Sequence, residues 1–306
     1  MTNPAAFRSI AGVLFALGLF VFGAPWSPSS AVLAQSQTLF LSLSDADGNP
    51  VTDLQPDEVT VQWDGVACET LDLEPIDWPV RVTVFIDNGE GGARSVQHMR
   101  EGLKGFIAAM PDGVEVALLT LARQPRWVTR HTADKAELLE GIDLVVPDAG
   151  ASARFLDALI EEAGRLDDDD ERQYFPVILM LASDGPEGSS GREQRFEEMI
   201  RRLQENSATV HTYLASSGRS GSLQTQIGID LGDMTGGQYR AIAASSAFRS
   251  LLPELGEDIA RKHRLVSNQY RVTYAPPDGA SEQPAVSIGL ARSGLQLVAT
   301  LDGNIK

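Results

Sequence analysis

The sequence predicts an α/β protein: a doubly wound, mostly parallel sheet with helices on both faces, and a small β domain made from the N- and C-terminal segments. Three observations carry this. From residue 81 onward, strand-like apolar runs alternate with amphipathic helical stretches. Two runs, VTVFID at 82–87 and VILMLASD at 177–184, are nearly continuous in apolar residues, as strands buried on both faces require, and each ends in an aspartate. Residues 37–77 and 268–302 alternate apolar with polar positions and are interrupted by turn chemistry.

The first 34 residues read as a separate object. Arg8 supplies a positive start, Ile10 to Phe22 is apolar and uncharged, and Val32-Leu33-Ala34 offers small residues for cleavage before Gln35. The apolar run is shorter than the roughly 18–20 residues of a membrane span. A cleaved secretory signal and a periplasmic or secreted protein are expected; the alternative is a protein anchored in the membrane by an uncleaved segment. The remaining expected organisation is a β-rich segment at 35–79, the α/β domain at 80–265 and a β-rich segment at 266–306.

In the first β segment, residues 38–43 alternate, DADGNP at 45–50 is a turn, and VTVQWDG at 59–65 ends in an Asp-Gly turn. Asp45, Asp47 and Asn49 lack the spacing and the later glutamate of an EF-hand, so a plain hairpin turn is expected. Cys68 is the only cysteine, so no internal disulfide forms, and its place in an alternating stretch suits a small apolar packing residue.

The strand at 82–87 leads to a helix near 94–110, whose apolar Val96, Met99, Leu103, Phe106, Ile107 and Met110 step by three or four. Strands at 114–121 and 126–130 follow, then helices near 133–143 and 152–166. The strand at 177–183 leads to a helix at 191–205, with Phe196, Met199, Ile200 and Leu203 on one face. A strand at 208–214, a helix near 223–233, a short strand at 238–242 and a helix near 246–263 complete the alternation. Strands at 268–277, 285–290 and 295–302 close the chain.

Composition narrows the function classes. The 306 residues carry a formal net charge of −17, which argues against nucleic acid or anionic lipid as a partner. The four histidines, at 98, 131, 211 and 263, lack metal-ligand spacing; His98 in a helix and His211 in a strand read as structural. GSSG at 188–191 lacks the frame of a nucleophile elbow, and GEGGARS lacks the ending of a phosphate-binding loop. The acidic run Asp167 to Asp170 reads as a solvated loop at the opposite end of the sheet from Asp184.

In an open α/β sheet, ligands bind beyond the carboxyl ends of the strands, where Asp87 and Asp184 both stand. Two convergent carboxylates suit a hard divalent cation. VTVFIDNGEGG at 82–92 resembles the first strand and loop of a von Willebrand factor type A domain, where the pattern is Asp-x-Ser-x-Ser in a metal-ion-dependent adhesion site. LASDG at 181–185 is similar to the strand that delivers the distal aspartate, FLDAL at 155–159 to the helix after the threonine ligand, and MTGGQY at 234–239 to a late turn of that family. VTDLQPDEVTVQWDG at 51–65, NQYRVTYAPP at 268–277 and SGLQLVATLDG at 293–303 resemble segments flanking the domain in bacterial VWFA-related proteins.

The resemblance implies that Asp87 and Asp184 are the site aspartates, that the two serine positions fall at Gly89 and Gly91, and that the threonine position falls at Ala153, next to Ser152. The implied site is degenerate. Either no cofactor is held, or Asn88, Glu90 or Ser152 supplies oxygens for a weakly bound Mg²⁺ or Ca²⁺. The implied partner-binding crest is Asp87, Asn88, Glu90, Ser152 and Asp184, facing a protein. The expected function is a non-enzymatic, exported protein-interaction module, metal-independent or weakly metal-dependent. The alternatives are an exported metal-dependent hydrolase using Asp87 and Asp184, and a membrane-anchored structural envelope component. Mass spectrometry of the exported protein is expected to find the mature N-terminus at Gln35; an intact leader would mark the anchored form.

Overall fold

The structure is a computed structural model that describes residues 15–16, 36–169, 171–190, 193–219, 221–281 and 284–305. The leader expected at 1–34 lies outside the described residues apart from Phe15–Ala16, a two-residue strand paired with Ala285–Val286. Among the described residues, no helix is long and apolar enough to cross a membrane. The chain divides into two compact units: residues up to Asp77 with Asn268–Gly303, and Trp78–Ser267 with the residues from Asn304 onward.

The first unit opens with β1 (Gln37–Ser44), β2 (Val59–Trp63) and β3 (Glu69–Ile76). The turn after β1 is an Asx turn: the Asp45 carboxylate accepts the backbone N–H groups of Asp47 at 2.9 Å and Asn49 at 2.8 Å. The turn after β2 places Asp64 and Gly65 at φ +52° and +82°, the left-handed pair that a tight hairpin favours. β3 (ETLDLEPI) carries three acidic residues and a proline, which hid it from a strand-by-strand reading of the sequence; it is an edge strand, where such residues are tolerated.

The second unit contains β4 (Val80–Ile86), α1 (Val96–Ala109), β5 (Glu115–Thr120), β6 (Arg126–Thr132), α2 (Lys135–Leu144) and α3 (Phe155–Asp167). It continues with β7 (Phe175–Ser183), α4 (Glu193–Glu205), β8 (Thr209–Ala215), α5 (Leu223–Thr235), β9 (Tyr239–Ile242) and α6 (Phe248–Val266). Its sheet runs β9-β8-β7-β4-β5-β6, parallel throughout except for β6, which is antiparallel to β5. From β4 the chain builds outward through β5 and β6, then returns through α3 to place β7 on the other side of β4. That reversal puts the topological switch between β4 and β7.

Alternation of side chains along the strands loads both faces. Phe85, Ile178, Met180, Ala182, Val210 and Leu214 pack in one apolar cluster with Phe155 and Leu159 of α3, Met199 and Leu203 of α4 and Ile227 and Leu231 of α5. The intervening Val84, Ile86, Leu179 and Leu181 are equally buried, as are Met99, Leu103 and Phe106 of α1 and Phe248 and Leu252 of α6. α1 contacts both α2 and α6, and α4 contacts both α3 and α5, so the helices form two layers. Local signals place helix ends: the Asp134 side chain caps α2 by accepting from Ala136 and Glu137, Ser222 caps α5 by accepting from Thr225, and Gly236 ends α5 at φ +71°.

A buried polar cluster holds α3 against the sheet. Thr83, in the middle of β4, donates its hydroxyl to Glu162 at 2.9 Å, and Arg165 donates to the other Glu162 oxygen at 2.6 and 2.9 Å. His131 Nε2 lies 3.0 Å from the same Thr83 hydroxyl, which leaves that nitrogen as the donor. Burial, with Arg81 and Arg165 nearby, pushes His131 down to about 3, so it is neutral. The ion pair is satisfied on both sides, as a buried charge must be. His211 is also structural: its Nδ1 accepts from the Gln238 N–H at 3.2 Å, and burial lowers it to about 4.

The chain then returns to the first unit through β10 (Gln269–Ala275), β11 (Ala285–Leu290) and β12 (Gln296–Thr300). One antiparallel sheet runs β12-β1-β10-β3, with Leu41 opposite Tyr270 and Leu39 opposite Val272. In the other, β11 pairs with β2. Leu39, Leu41, Leu43, Val59, Val61, Tyr270, Val272 and Tyr274 form its core. The two ends of the chain therefore build one small β unit strand against strand.

Phe85 is fully buried at the centre of the parallel sheet. Phe85→Ala is expected to cost about 3–5 kcal/mol in urea unfolding, the range for truncating a buried aromatic.

Candidate functional site

The β4–β7 pairing continues to the sheet's carboxyl edge, where the Asp87 N–H donates to the Leu181 carbonyl at 2.8 Å and the Asp184 N–H to the Ala215 carbonyl at 3.2 Å. The two aspartates therefore leave neighbouring strands at one edge, the crest. Asp87 is buried, 1% exposed. One of its oxygens accepts the Ser183 hydroxyl, and the other accepts the Gly89 N–H at 2.9 Å. Burial pushes the Asp87 carboxyl above its ordinary range, against the opposing pull of donors from Ser183, Gly89 and Gly92.

Ser183 is the hub that the sequence reading missed. Its hydroxyl also accepts the Gly185 N–H at 3.1 Å, and its own N–H donates to Gln224 Oε1 at 3.0 Å. Gln224, fully buried at the start of α5, passes its amide on to Glu187 at 3.0 Å. Burial raises the Glu187 carboxyl as well, with Ser189 and Gln224 opposing it. Asp184 is engaged differently. Its Oδ2 accepts the N–H groups of Ser217 at 2.6 Å and Arg219 at 3.1 Å and the Ser216 hydroxyl at 3.3 Å. Burial acts to raise this carboxyl, but those donors together outweigh it and hold it below the usual range.

The other expected crest residues have distinct placements. Asn88 is buried; its side-chain oxygen accepts from Leu121 at 3.2 Å and Ala122 at 3.0 Å, and its amide donates to the Val146 carbonyl at 2.9 Å. It staples three loops. Glu90 is exposed, with its N–H bonded to the Ala151 carbonyl at 2.8 Å. Ser152 is partly buried, and its carbonyl accepts from Arg123 at 3.2 Å. Ala153, at the threonine position, is 2% exposed and bridges to both Ala122 and Glu187.

The glycines are required by close approach. A Cβ on Gly89 would lie 2.6 Å from the Ala151 carbonyl oxygen and 3.0 Å from the Ala153 nitrogen. A Cβ on Gly91 would overlap the Ser183 hydroxyl and stand 2.6 Å from Gly185 Cα. The space where serine side chains would start is filled by neighbouring backbone. The intact ligand set is not present: Asp87 has an internal donor on each oxygen, Asp184 Oδ2 takes three donors, and positions 89, 91 and 153 carry no hydroxyl. Among the described residues, no group of three or more His, Cys, Asp or Glu side chains could hold a metal ion.

The exposed part of the crest is of another kind. Arg94 and Arg219 are exposed and, among the described residues, form no ion pair, whereas Arg123 is paired with Asp148 at 2.6 Å and Arg154 with Asp157 at 3.0 Å. Leu144 is 70% exposed and Val146 63% exposed, beside the loop that Asn88 holds.

A doubly wound parallel sheet with one antiparallel edge strand, two helix layers and paired aspartates at the switch point is the architecture implied by the sequence motifs. The sheet order is the one that the resemblance to von Willebrand type A domains implies. No family model and no curated protein matches the chain. Solved structures similar to it include a von Willebrand factor type A protein from Catenulispora acidiphila, with a TM-score of 0.48 and 12% identity over 89% of this chain and 74% of that one. Proximal thread matrix protein 1 from the mussel byssus gives a TM-score of 0.47 and 14% identity over 62% of this chain and 50% of that one, so the match spans half the mussel protein. The conserved hypothetical protein BatB from Bacteroides thetaiotaomicron gives a TM-score of 0.43 and 13% identity over 60% of this chain and 99% of that one.

The two aspartates of this crest have opposite linkage to pH. Asp87 has a native pKa above its ordinary 3.8, so its contribution to stability is complete below that value and is lost as pH rises through the raised native value. Asp184 has a native pKa below 3.8, so its contribution is complete above that value and is lost as pH falls through the lowered one. Urea unfolding across a pH series is expected to show Asp87→Asn gaining on the wild type as pH rises above 3.8. The deficit of Asp184→Asn, about 1.5–3 kcal/mol at neutral pH for lost bonds to a charged acceptor, is expected to narrow on acidification.

Proposed function

We propose that the chain is an exported, non-enzymatic protein-interaction module whose crest meets its partner without a metal ion. One observation carries this reading. Asp87 has an internal donor on each oxygen and Asp184 has three on Oδ2, while the crest's exposed side chains include Arg94 and Arg219, without an ion pair among the described residues, and the apolar Leu144 and Val146. Arginine and apolar side chains without internal partners are what a protein contact uses. Export is supported by the leader-like segment at 1–34. The non-enzymatic reading is supported by the burial of Ser183: its hydroxyl lies between Asp87 and the Gly185 N–H on a residue only 1% exposed, out of reach of a substrate.

Cross-linking from a photoreactive residue introduced at Val146, followed by affinity measurement on the captured protein, tests the reading. Binding is expected to persist in excess EDTA and to weaken at least about tenfold in Arg94→Glu/Arg219→Glu, the scale of losing a charged contact at an interface. Binding abolished by EDTA and restored by Mg²⁺ would overturn the metal-free reading. A double variant with unchanged affinity would move the contact off the crest.

A further inference from the structure

The parallel sheet ends at β6, and among the described residues no strand pairs with the outer side of β6. The two faces of β6 are covered. Thr129 packs so closely on α2 that a Cβ on Gly141 would lie 2.0 Å from its hydroxyl oxygen. Trp127 packs against the apolar cluster to which Phe155 and Leu159 of α3 belong. What stays open is the edge itself, a row of backbone N–H and C=O groups able to pair with another strand.

Positive charge gathers along this edge. Arg126 and Arg130 are exposed, and among the described residues neither is in an ion pair. The chain carries 42 Asp and Glu against 25 Lys and Arg, yet it supplies neither arginine with a carboxylate. The Arg130 guanidinium stands 5.5 Å from the centre of the Trp127 ring, and that of Arg165 stands 4.9 Å from it. Glu161 and Glu162 neutralise Arg165, whereas Arg130 has only the ring. Contact with a ring orients a guanidinium without neutralising it, so Arg130 keeps its charge for a carboxylate.

We propose that β6 is a docking edge for an extended acidic segment of a partner protein. The segment's backbone continues the sheet, its carboxylates meet Arg126 and Arg130, and Trp127 is the apolar anchor. Register shifts on either side of Thr129 break the edge into short stretches, so the segment it takes is short. A second copy of the chain is a poor occupant, because β6 against β6 would set arginines along both sides of one seam. The edge is separate from the crest contact proposed above, and the two readings fail independently.

The test uses the exported chain at about 0.15 M salt, where a screening length of about 8 Å keeps the overall negative charge from deciding the result. The probes are two fluorescein-labelled hexapeptides, one alternating Glu with Val and the other Lys with Val. Fluorescence anisotropy is expected to show binding of the Glu–Val peptide alone. Arg126→Glu/Arg130→Glu is expected to weaken that binding at least about tenfold and to melt with the wild type, since both side chains are exposed. Arg126→Gln/Arg130→Gln, expected to weaken it less, keeps the test informative if the charge reversal folds poorly. Hydrogen exchange is expected to slow within Arg126–Thr132 when the Glu–Val peptide is bound, a change that attraction between exposed charges alone would not produce. The proposal is overturned by no binding of the Glu–Val peptide, by equal binding of both peptides, by unchanged affinity in the arginine variants, or by protection confined to other residues. Self-association of the wild type that Arg126→Glu/Arg130→Glu abolishes would assign the edge to a second copy and overturn it too.

Discussion

The parallel pairing of β4 with β7 is the constraint on which the rest of the unit depends. It lies at the centre of the sheet, with both strands buried, and the chain reverses its winding there. Because β4 and β7 are parallel neighbours in register from Val80–Phe175 to Ile86–Leu181, the residues that follow them must emerge side by side. Asp87, Ser183 and Asp184 are brought together by that register. A slip of one residue would turn Ser183 to the α3 face and break the contact with Asp87.

The two faces of β4 do different work. On the α3 face, Thr83 and Glu162 form a buried polar contact that fixes the register of α3 against the sheet. On the other face, the alternate residues of β4 and β7 are purely apolar until Ser183, a buried polar residue at the strand's end. The polar contacts thus sit at one point in the interior and one at the rim, with apolar packing between them. A half-buried Glu–Arg pair adds little net stability compared with apolar packing, but it penalises any helix position that leaves the buried Glu162 without donors.

Much of the fold was legible in the residues. Strand–helix alternation, the continuous apolar run of β7 and the helical spacing of Val96, Met99, Leu103 and Phe106 each follow from burial on a particular periodicity. β3 fell within the β character of residues 37–77 but was not picked out as a strand of its own, because an edge strand tolerates the Glu, Asp and Pro that mark a loop elsewhere. At the crest, the aspartates were visible as acidic ends of apolar strands. Gln224 was not: it stands two residues from the exposed Gln226 in the same helix, and nothing local separates them. Ser183 had a faint signal, a polar residue closing an apolar run, but its partner lies 96 residues away in sequence.

The sequence by itself determined the architecture and the two acidic positions, because periodicity and strand-end chemistry are local properties of the chain. It also showed glycines where hydroxyls would be needed, and from that alone an open, ligand-poor site and a closed one look the same. Only the tertiary structure shows what stands against those glycines. The Ala151 carbonyl against Gly89 and the Ser183 hydroxyl against Gly91 are contacts between segments far apart in the chain. Whether a glycine marks a missing ligand or a necessary close approach depends on what packs against it, and packing exists only once the strands are paired.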